Sequence, residues 1–95
     1  MTAYVLAAIE VTDPDAYEEY KPLSAAAVER YGGRFVVRGG ARQVLEGEWP
    51  SARMVLVEFP DAETARRWYD SPEYVHARAV RQRASTGRML LLEGS

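Results

Sequence analysis

The chain has 95 residues, nearly balanced acidic and basic side chains, and no cysteine. This length predicts a single domain, residues 1–95, with a thin core. The missing cysteines exclude zinc and iron–sulfur sites built on thiolates, and one histidine excludes a histidine-rich metal site within one chain. We therefore expect no cofactor. A net charge of −2 gives no electrostatic reason to bind nucleic acid.

The first half of the chain predicts a strand, a long helix and a second strand. Residues 4–11 are apolar and partly β-branched, which is typical of a buried strand. Asp13 can cap the helix that follows, and Pro22 inside it predicts a kink or a restart. Gly32 ends this helix. Residues 34–38 then form the second strand.

The second half predicts two more strands and a broken helix. Residues 53–59 are the clearest strand in the chain. Two capped helices follow, over residues 62–70 and 72–85. Gly87 is expected to end the second of them, and residues 88–93 form the last strand. The order β-α-β-β-α-β predicts an α+β, ferredoxin-like fold with an antiparallel sheet and helices on one face.

Alternation along the strands divides their side chains into two faces. The set expected against the helices is apolar: Val5, Ala7, Ile9, Phe35, Val37, Val55, Val57, Phe59, Met89 and Leu91. The other set has an apolar middle and charged ends: Tyr4, Leu6, Ala8, Glu10, Arg34, Val36, Arg38, Met54, Leu56, Glu58, Arg88, Leu90 and Leu92. Because monomers seldom expose such a patch, we expect a homodimer in which two sheets close into a barrel.

Three polar residues are candidates for catalysis. Arg38 and Glu58 are expected on the second sheet face, where Arg38 would bind a carboxylate or enolate and Glu58 would act as base. A structural ion pair is the alternative for both. His76, the only histidine, could transfer a proton as a general acid or base, or lie on a solvated helix surface.

Four aromatic residues are candidates for substrate binding. Tyr17 and Tyr20 share a helical face and could donate phenolic protons to a ligand. Trp68 and Tyr74 flank the break between the last two helices and could shape a pocket there. Core packing is the alternative for all four.

Several motifs resemble one family: Tyr17-Glu18-Glu19-Tyr20, Gly32 to Gly40, Leu45 to Trp49, Glu58-Phe59-Pro60, Trp68-Tyr69 and Ser71-Pro72-Glu73-Tyr74. Together they resemble the bacterial domain-of-unknown-function family 1330 over nearly the whole chain. The resemblance implies a dimeric α/β-barrel in a superfamily that also contains cofactor-free monooxygenases, dehydratases and polyketide cyclases. It implies no particular reaction, since fold alone does not carry mechanism.

Two functions remain open at this stage. The first is a homodimer that binds a small molecule, as a cofactor-independent enzyme (monooxygenase-, isomerase- or cyclase-like) acting on a carbonyl or aromatic metabolite. The second is a non-catalytic binding or assembly module whose polar residues are structural.

The arginines at 78, 81, 83 and 88 are interpreted as a solvated face. We expect a cytoplasmic protein with no membrane or nucleic-acid partner, since the N-terminal segment is not typical of a signal peptide or a membrane span.

Overall fold

A computed structural model describes residues 1–50 and 52–94 of the chain. Four antiparallel strands form one sheet in the order β2-β3-β1-β4, and three helices pack on one of its faces. The elements are β1 (Ala3–Val11), α1 (Pro14–Arg30), β2 (Arg34–Arg38), β3 (Arg53–Phe59), α2 (Ala62–Tyr69), α3 (Pro72–Ala84) and β4 (Ser85–Glu93). The predicted ferredoxin-like α+β fold and its broken second helix are confirmed.

Each helix begins at a side chain that satisfies a free backbone amide. Asp13 accepts a hydrogen bond from the amide of Ala16, and Asp61 accepts one from Thr64. Ser71 caps α3 in the same way. Such a cap stabilises a helix by about 1 kcal/mol. Within the described part of the chain, no helix combines the length and the apolar character needed to cross a membrane.

The structure differs from the sequence prediction at two interruptions. α1 is one helix from Pro14 to Arg30, so the predicted restart at Pro22 is wrong, while the alternative of a kink there stays a prediction. β4 begins at Ser85 and runs through Gly87 rather than starting after it. Gly87 lies opposite Ile9 in the sheet, and a Cβ at this position would come within 2.5 Å of the Ala8 carbonyl oxygen. The glycine therefore permits a close approach of two strands instead of ending a helix.

A bulge in β2 reverses the alternation of its side chains. Phe35 lies opposite Val57, but the next paired residue, Val37, lies opposite Leu56, so that Val36 is an extra residue. Residues that lie opposite each other in an antiparallel pair point to the same face. Val37 therefore points away from the helices, and its predicted place in the helix-facing set is wrong.

The same bulge moves Arg38 to the other face of the sheet. Arg38 lies opposite Val55, a helix-facing residue, whereas Glu58 lies opposite Arg34 on the second face. The expectation that Arg38 and Glu58 share a face is therefore wrong. A strict two-residue period cannot anticipate an inserted residue, because each insertion exchanges the faces of all later positions in the strand.

The core between sheet and helices is centred on large aromatic rings. Trp68, Tyr74 and Phe59 are among the most deeply buried large side chains. The ring centroids of Trp68 and Tyr74 are 4.1 Å apart, and those of Phe59 and Trp68 are 5.0 Å apart. Aromatic pairs at these distances contribute about 0.5–1.5 kcal/mol beyond the burial of their area.

Substituting Gly33 tests how tightly this core is packed beside β2. A Cβ at Gly33 would lie 2.7 Å from Phe59 Cε1 and 3.0 Å from Val28 Cγ1. We expect Gly33→Ala to lower the free energy of unfolding by about 1–3 kcal/mol in urea denaturation, because overpacking forces side chains from their rotamers. Combined with Phe59→Leu, which removes part of the clash, the loss should be smaller than the sum of the two single losses. An unchanged stability of Gly33→Ala would contradict the close packing.

Candidate functional site

A narrow cleft lies between the helices and the helix-facing side of the sheet. Strand side chains form an apolar floor, and α1, α2 and α3 supply aromatic and polar groups above it. The free volume is about 30 Å³, which is room for a few waters. The lining residues are Val5, Ala7, Ile9, Tyr17, Tyr20, Lys21, Ser24, Phe35, Arg38, Arg53, Val55, Val57, Trp68, Tyr74 and Met89.

All four aromatic residues proposed from the sequence line this cleft. The hydroxyls of Tyr20 and Tyr74 form a buried hydrogen bond of 2.9 Å. Tyr17 packs beside Tyr20, with ring centroids 5.3 Å apart. The break between α2 and α3 positions Trp68 and Tyr74: the Ser71 hydroxyl donates to the Trp68 carbonyl oxygen at 2.7 Å and accepts from the Tyr74 amide at 3.1 Å. One serine thus fixes both aromatic residues.

The indole nitrogen of Trp68 is a donor without an acceptor. Trp68 is 2% exposed, and its Nε1 is buried with no hydrogen-bond partner among the described residues. Leaving a buried donor unsatisfied costs about 1–3 kcal/mol. Because native proteins satisfy nearly all such groups, an unpartnered donor in the wall of a cleft indicates a place for an acceptor.

Two phenols in the cleft stay protonated at neutral pH. Burial raises the pKa of the Tyr17 hydroxyl, and the neighbouring Tyr20 adds to this rise, whereas Arg53 and Arg81 oppose it. Burial also raises the pKa of Tyr74, more strongly, and Tyr20 again contributes. Both hydroxyls are therefore hydrogen-bond donors and acceptors at this pH rather than bases.

Two arginines of the sheet line the cleft. Arg38 is exposed and stacks on Phe35, with its guanidinium carbon 4.2 Å from the ring centroid. Arg53, at the start of β3, lies opposite Ile9 and so faces the helices. Its Nη2 donates to the Arg38 carbonyl oxygen at 3.4 Å, while its Nε is buried and has no partner among the described residues.

A third arginine is buried in α3, although it does not line the cleft. Arg81 is only 8% exposed, and its Nε has no hydrogen-bond partner in the described part of the chain. Its positive charge acts on the hydroxyls of Tyr17 and Tyr74, where it opposes the rise in their pKa. Among residues 1–50 and 52–94, neither Arg53 nor Arg81 forms an ion pair with a carboxylate.

Sequence reasoning missed Arg53 as a lining residue of the cleft and Arg81 as a buried residue. The interpretation of the α3 arginines as a solvated face is wrong for Arg81, which lies seven residues after Tyr74 and so on the same buried stripe. Arg53 shares the alternation of Val55 and Val57, which places it on the helix-facing side of β3. In both cases the signal was a charge at an apolar position of the periodic pattern.

The other two catalytic candidates lie outside the cleft. Glu58 is on the second sheet face, where its Oε2 is 2.6 Å from Arg34 Nε. His76 is exposed on α3 and does not line the cleft. Among the described residues, the lining holds no carboxylate or imidazole, and no group of three possible metal ligands occurs. The roles of Glu58 and His76 in proton transfer stay predictions.

A second cavity adjoins the cleft between α2 and β4. It has a volume of about 200 Å³ and shares Val5, Trp68 and Met89 with the cleft. The remaining lining comes from Ala65, Arg66, Tyr69, Asp70, Leu90 and Leu91. Trp68 is therefore a wall common to both spaces.

Solved structures of three proteins resemble this fold. One is a protein of unknown function from Rhodopseudomonas palustris, with 23% identity, 99% of this chain and 82% of that chain covered, and a TM-score of 0.73. SnoaB, a cofactor-independent oxygenase from Streptomyces nogalater, has 18% identity, coverage of 99% and 93%, and a TM-score of 0.64. A dimeric ferredoxin-like protein of unknown function from Jannaschia sp. CCS1 has 15% identity, coverage of 100% and 99%, and a TM-score of 0.72.

At these identities the likeness shows the fold alone. No curated protein matches the sequence significantly. The sequence model of one family, described as "Domain of unknown function (DUF1330)", matches residues 2–95. This match confirms the resemblance carried by the sequence motifs, and the chain therefore belongs to the DUF1330 family.

Proposed function

We propose that the protein is a homodimer that binds a small aromatic or enolisable carbonyl metabolite in the cleft between helices and sheet. The observation that carries the proposal is the convergence of Tyr17, Tyr20, Trp68 and Tyr74 on one cleft that also contains unpartnered donors. An apolar lining with a few convergent polar groups is the usual form of a small-molecule site.

The aromatic residues suit a flat ligand with an oxygen at its edge. Trp68 and Tyr74 present ring faces, and the hydroxyls of Tyr20 and Tyr74 can exchange their mutual hydrogen bond for bonds to a ligand oxygen. Arg38 at the exposed edge supplies a cation beside Phe35. Each neutral hydrogen bond to the ligand would contribute about 0.5–1.5 kcal/mol.

A ligand of this kind needs more room than the closed cleft offers. The adjoining cavity of about 200 Å³ supplies it once the Trp68 side chain moves. The indole nitrogen forms no hydrogen bond within the described residues, so this movement breaks none there. We infer that the ligand occupies both spaces, with its ring beside Trp68.

The cleft is equipped for chemistry that needs no cofactor. Its phenols and guanidinium groups can polarise a carbonyl group and stabilise an enolate. The likeness in fold to SnoaB, described as a cofactor-independent oxygenase, supports this class of reaction. Glu58 and His76 remain the proposed proton acceptors. Since both lie outside the cleft, they would act on a part of the ligand that projects from it, or not at all.

The second sheet face supports the proposed homodimer. Leu90, Leu92, Val36 and Val37 are between 42% and 50% exposed on this face, which forms an apolar patch of the kind that marks an interface. The related Jannaschia protein is described as dimeric. A second copy packed face to face would cover the patch in both chains by the same contacts.

A charge on the second face should abolish the dimer. We expect Leu90→Glu to yield a folded monomer in sedimentation analysis, because the carboxylate would be buried against an apolar partner face. Val75→Glu is the matched control, since Val75 is 41% exposed on α3. It should leave the mass unchanged. A wild-type protein that sediments as a monomer, or a Leu90→Glu variant that remains dimeric, would contradict this interface.

Binding in the cleft can be followed at the Trp68 indole. In the single-tryptophan variant Trp49→Phe, the one indole N–H signal in a ¹H–¹⁵N spectrum belongs to Trp68. We expect 2-tetralone, an aromatic enolisable ketone, to shift this signal and to bind about three- to tenfold more weakly to Tyr74→Phe, which lacks one hydroxyl. Arg83→Met, on the exposed face of α3, is the control.

Turnover separates the enzyme from the binding module. Exchange of the 2-tetralone α-protons in D₂O should be faster with protein than with buffer alone, and slower with Arg38→Met. Glu58→Gln and His76→Gln test the two proposed proton acceptors in the same assay. Binding without accelerated exchange would favour the non-catalytic alternative, and the absence of any shift at Trp68 would refute the proposed site.

A further inference from the structure

A long connection between β2 and β3 exposes large apolar side chains to solvent. β2 ends at Arg38 and β3 begins at Arg53, and residues 40–50, here called the arm, contain no helix or strand. Leu45 is 87% exposed and Trp49 is 56% exposed. Connections of this length without secondary structure are uncommon in compact domains and are often functional. Exposed apolar groups on such a connection favour a partner that covers them.

A local turn holds the Trp49 ring in place on the arm. Its indole N–H donates a hydrogen bond to the Glu46 carbonyl oxygen at 3.1 Å, and Gly47 between them has a φ of +77°, which glycine adopts without strain. Because the ring is held before a partner arrives, burying it costs less conformational entropy. Tryptophan is also enriched among the residues that dominate the binding energy of interfaces. Trp49 is therefore suited to anchor an interface.

The arm lies on the same side of the sheet as the second face. Trp49 and Pro50 line a cavity of about 330 Å³ together with Leu6, Met54 and Leu90, which are side chains of that face. A further cavity of about 460 Å³ lies between the arm and Met54. Protein interfaces of high affinity are packed as closely as protein interiors, so a partner seated here would fill such spaces. A partner that covers the second face therefore also contacts the arm.

Two opposite charges line the cavity of about 330 Å³ without forming an ion pair. Glu48 of the arm and Arg88 of β4 are both exposed, and neither has an ion-pair partner within residues 1–50 and 52–94. The arm thus presents an anion beside its apolar groups, and the second face presents a cation beside its own. Complementary charges of this kind fix the register of an interface.

A second copy of the chain complements both surfaces at once. In a two-fold dimer, each contact between the arm of one chain and the sheet of the other occurs twice. We propose that the arm of each protomer crosses onto the second sheet face of the other, where Trp49 and Leu45 pack on its apolar side chains. Glu48 then lies near Arg88 of the second copy. The inference rests on the homodimer of the proposed function, which it deepens by naming the segment that joins the two chains.

Removing the Trp49 ring tests the apolar part of this contact. We expect Trp49→Ala to raise the dissociation constant of the dimer at least about tenfold in sedimentation equilibrium, because truncating an interfacial tryptophan has effects of this size. Trp49→Phe keeps an aromatic ring and should weaken the dimer less. Val75→Ala, at an exposed position of α3, is the control and should dimerise as the wild type does.

An exchange of charges tests whether the arm crosses between chains. Glu48→Arg brings two cations together in its own homodimer, and Arg88→Glu brings two anions together, whereas a mixed dimer restores opposite charges at both contacts. In native mass spectrometry of an equimolar mixture at low salt, we therefore expect a heterodimer fraction well above the half that random pairing gives. Glu63→Arg mixed with Arg88→Glu is the matched control. It carries the same charges, but Glu63 is exposed on α2, so the heterodimer fraction should stay near half.

The outcomes separate this inference from the dimer itself. A heterodimer fraction near half in the mixture of Glu48→Arg and Arg88→Glu would overturn the inference, because an arm that contacts only its own sheet does not respond to charges on the other chain. A Trp49→Ala variant that dimerises as tightly as the wild type would also refute it. In both cases the proposed homodimer would stand. If the wild-type protein is a monomer, the inference and the homodimer fail together.

Discussion

The contact between Trp68 and Tyr74 is the constraint on which the cleft depends. Trp68 lies in the last turn of α2 and Tyr74 in the first turn of α3, and the Ser71 hydroxyl bonds to the backbone of both. The broken helix therefore does more than cover the sheet. It brings the ring centroids of Trp68 and Tyr74 to 4.1 Å from each other, where the helix layer meets the core. A continuous helix would carry these residues six positions apart, on different faces.

Most of the fold could be predicted from the sequence, because the strands and helices have regular spacings of apolar residues. Strand alternation, helix caps and the order of elements predicted the sheet and its helices. The structure places the four aromatic candidates around one cleft, and their role in binding stays a prediction. The prediction failed at Val36, where one inserted residue exchanged the faces of Val37 and Arg38. A bulge depends on the pairing partner, so a single strand read alone carries no signal for it.

The arginines were missed for a different reason. A charged side chain is assigned to the surface by default, because burial without a partner is costly. Arg53 and Arg81 each occupy an apolar position of their element, and this conflict between residue type and position was visible in the sequence. Conflicts of this kind tend to mark functional sites, where a protein accepts a local cost that other interactions offset.

The two faces of the sheet differ in the polar groups that they present. On the second face, Glu58 has Arg34 as its partner, and the remaining surface is largely apolar, as suits an interface. In the cleft, Arg53 and Trp68 each have a buried donor without a hydrogen-bond partner among the described residues, whereas the hydroxyls of Tyr20 and Tyr74 bond to each other. Stability alone would favour apolar side chains at these positions, since an apolar replacement removes the desolvation cost. The two unpartnered donors in this one aromatic cleft, at Arg53 and Trp68, therefore support the proposal of a ligand site there.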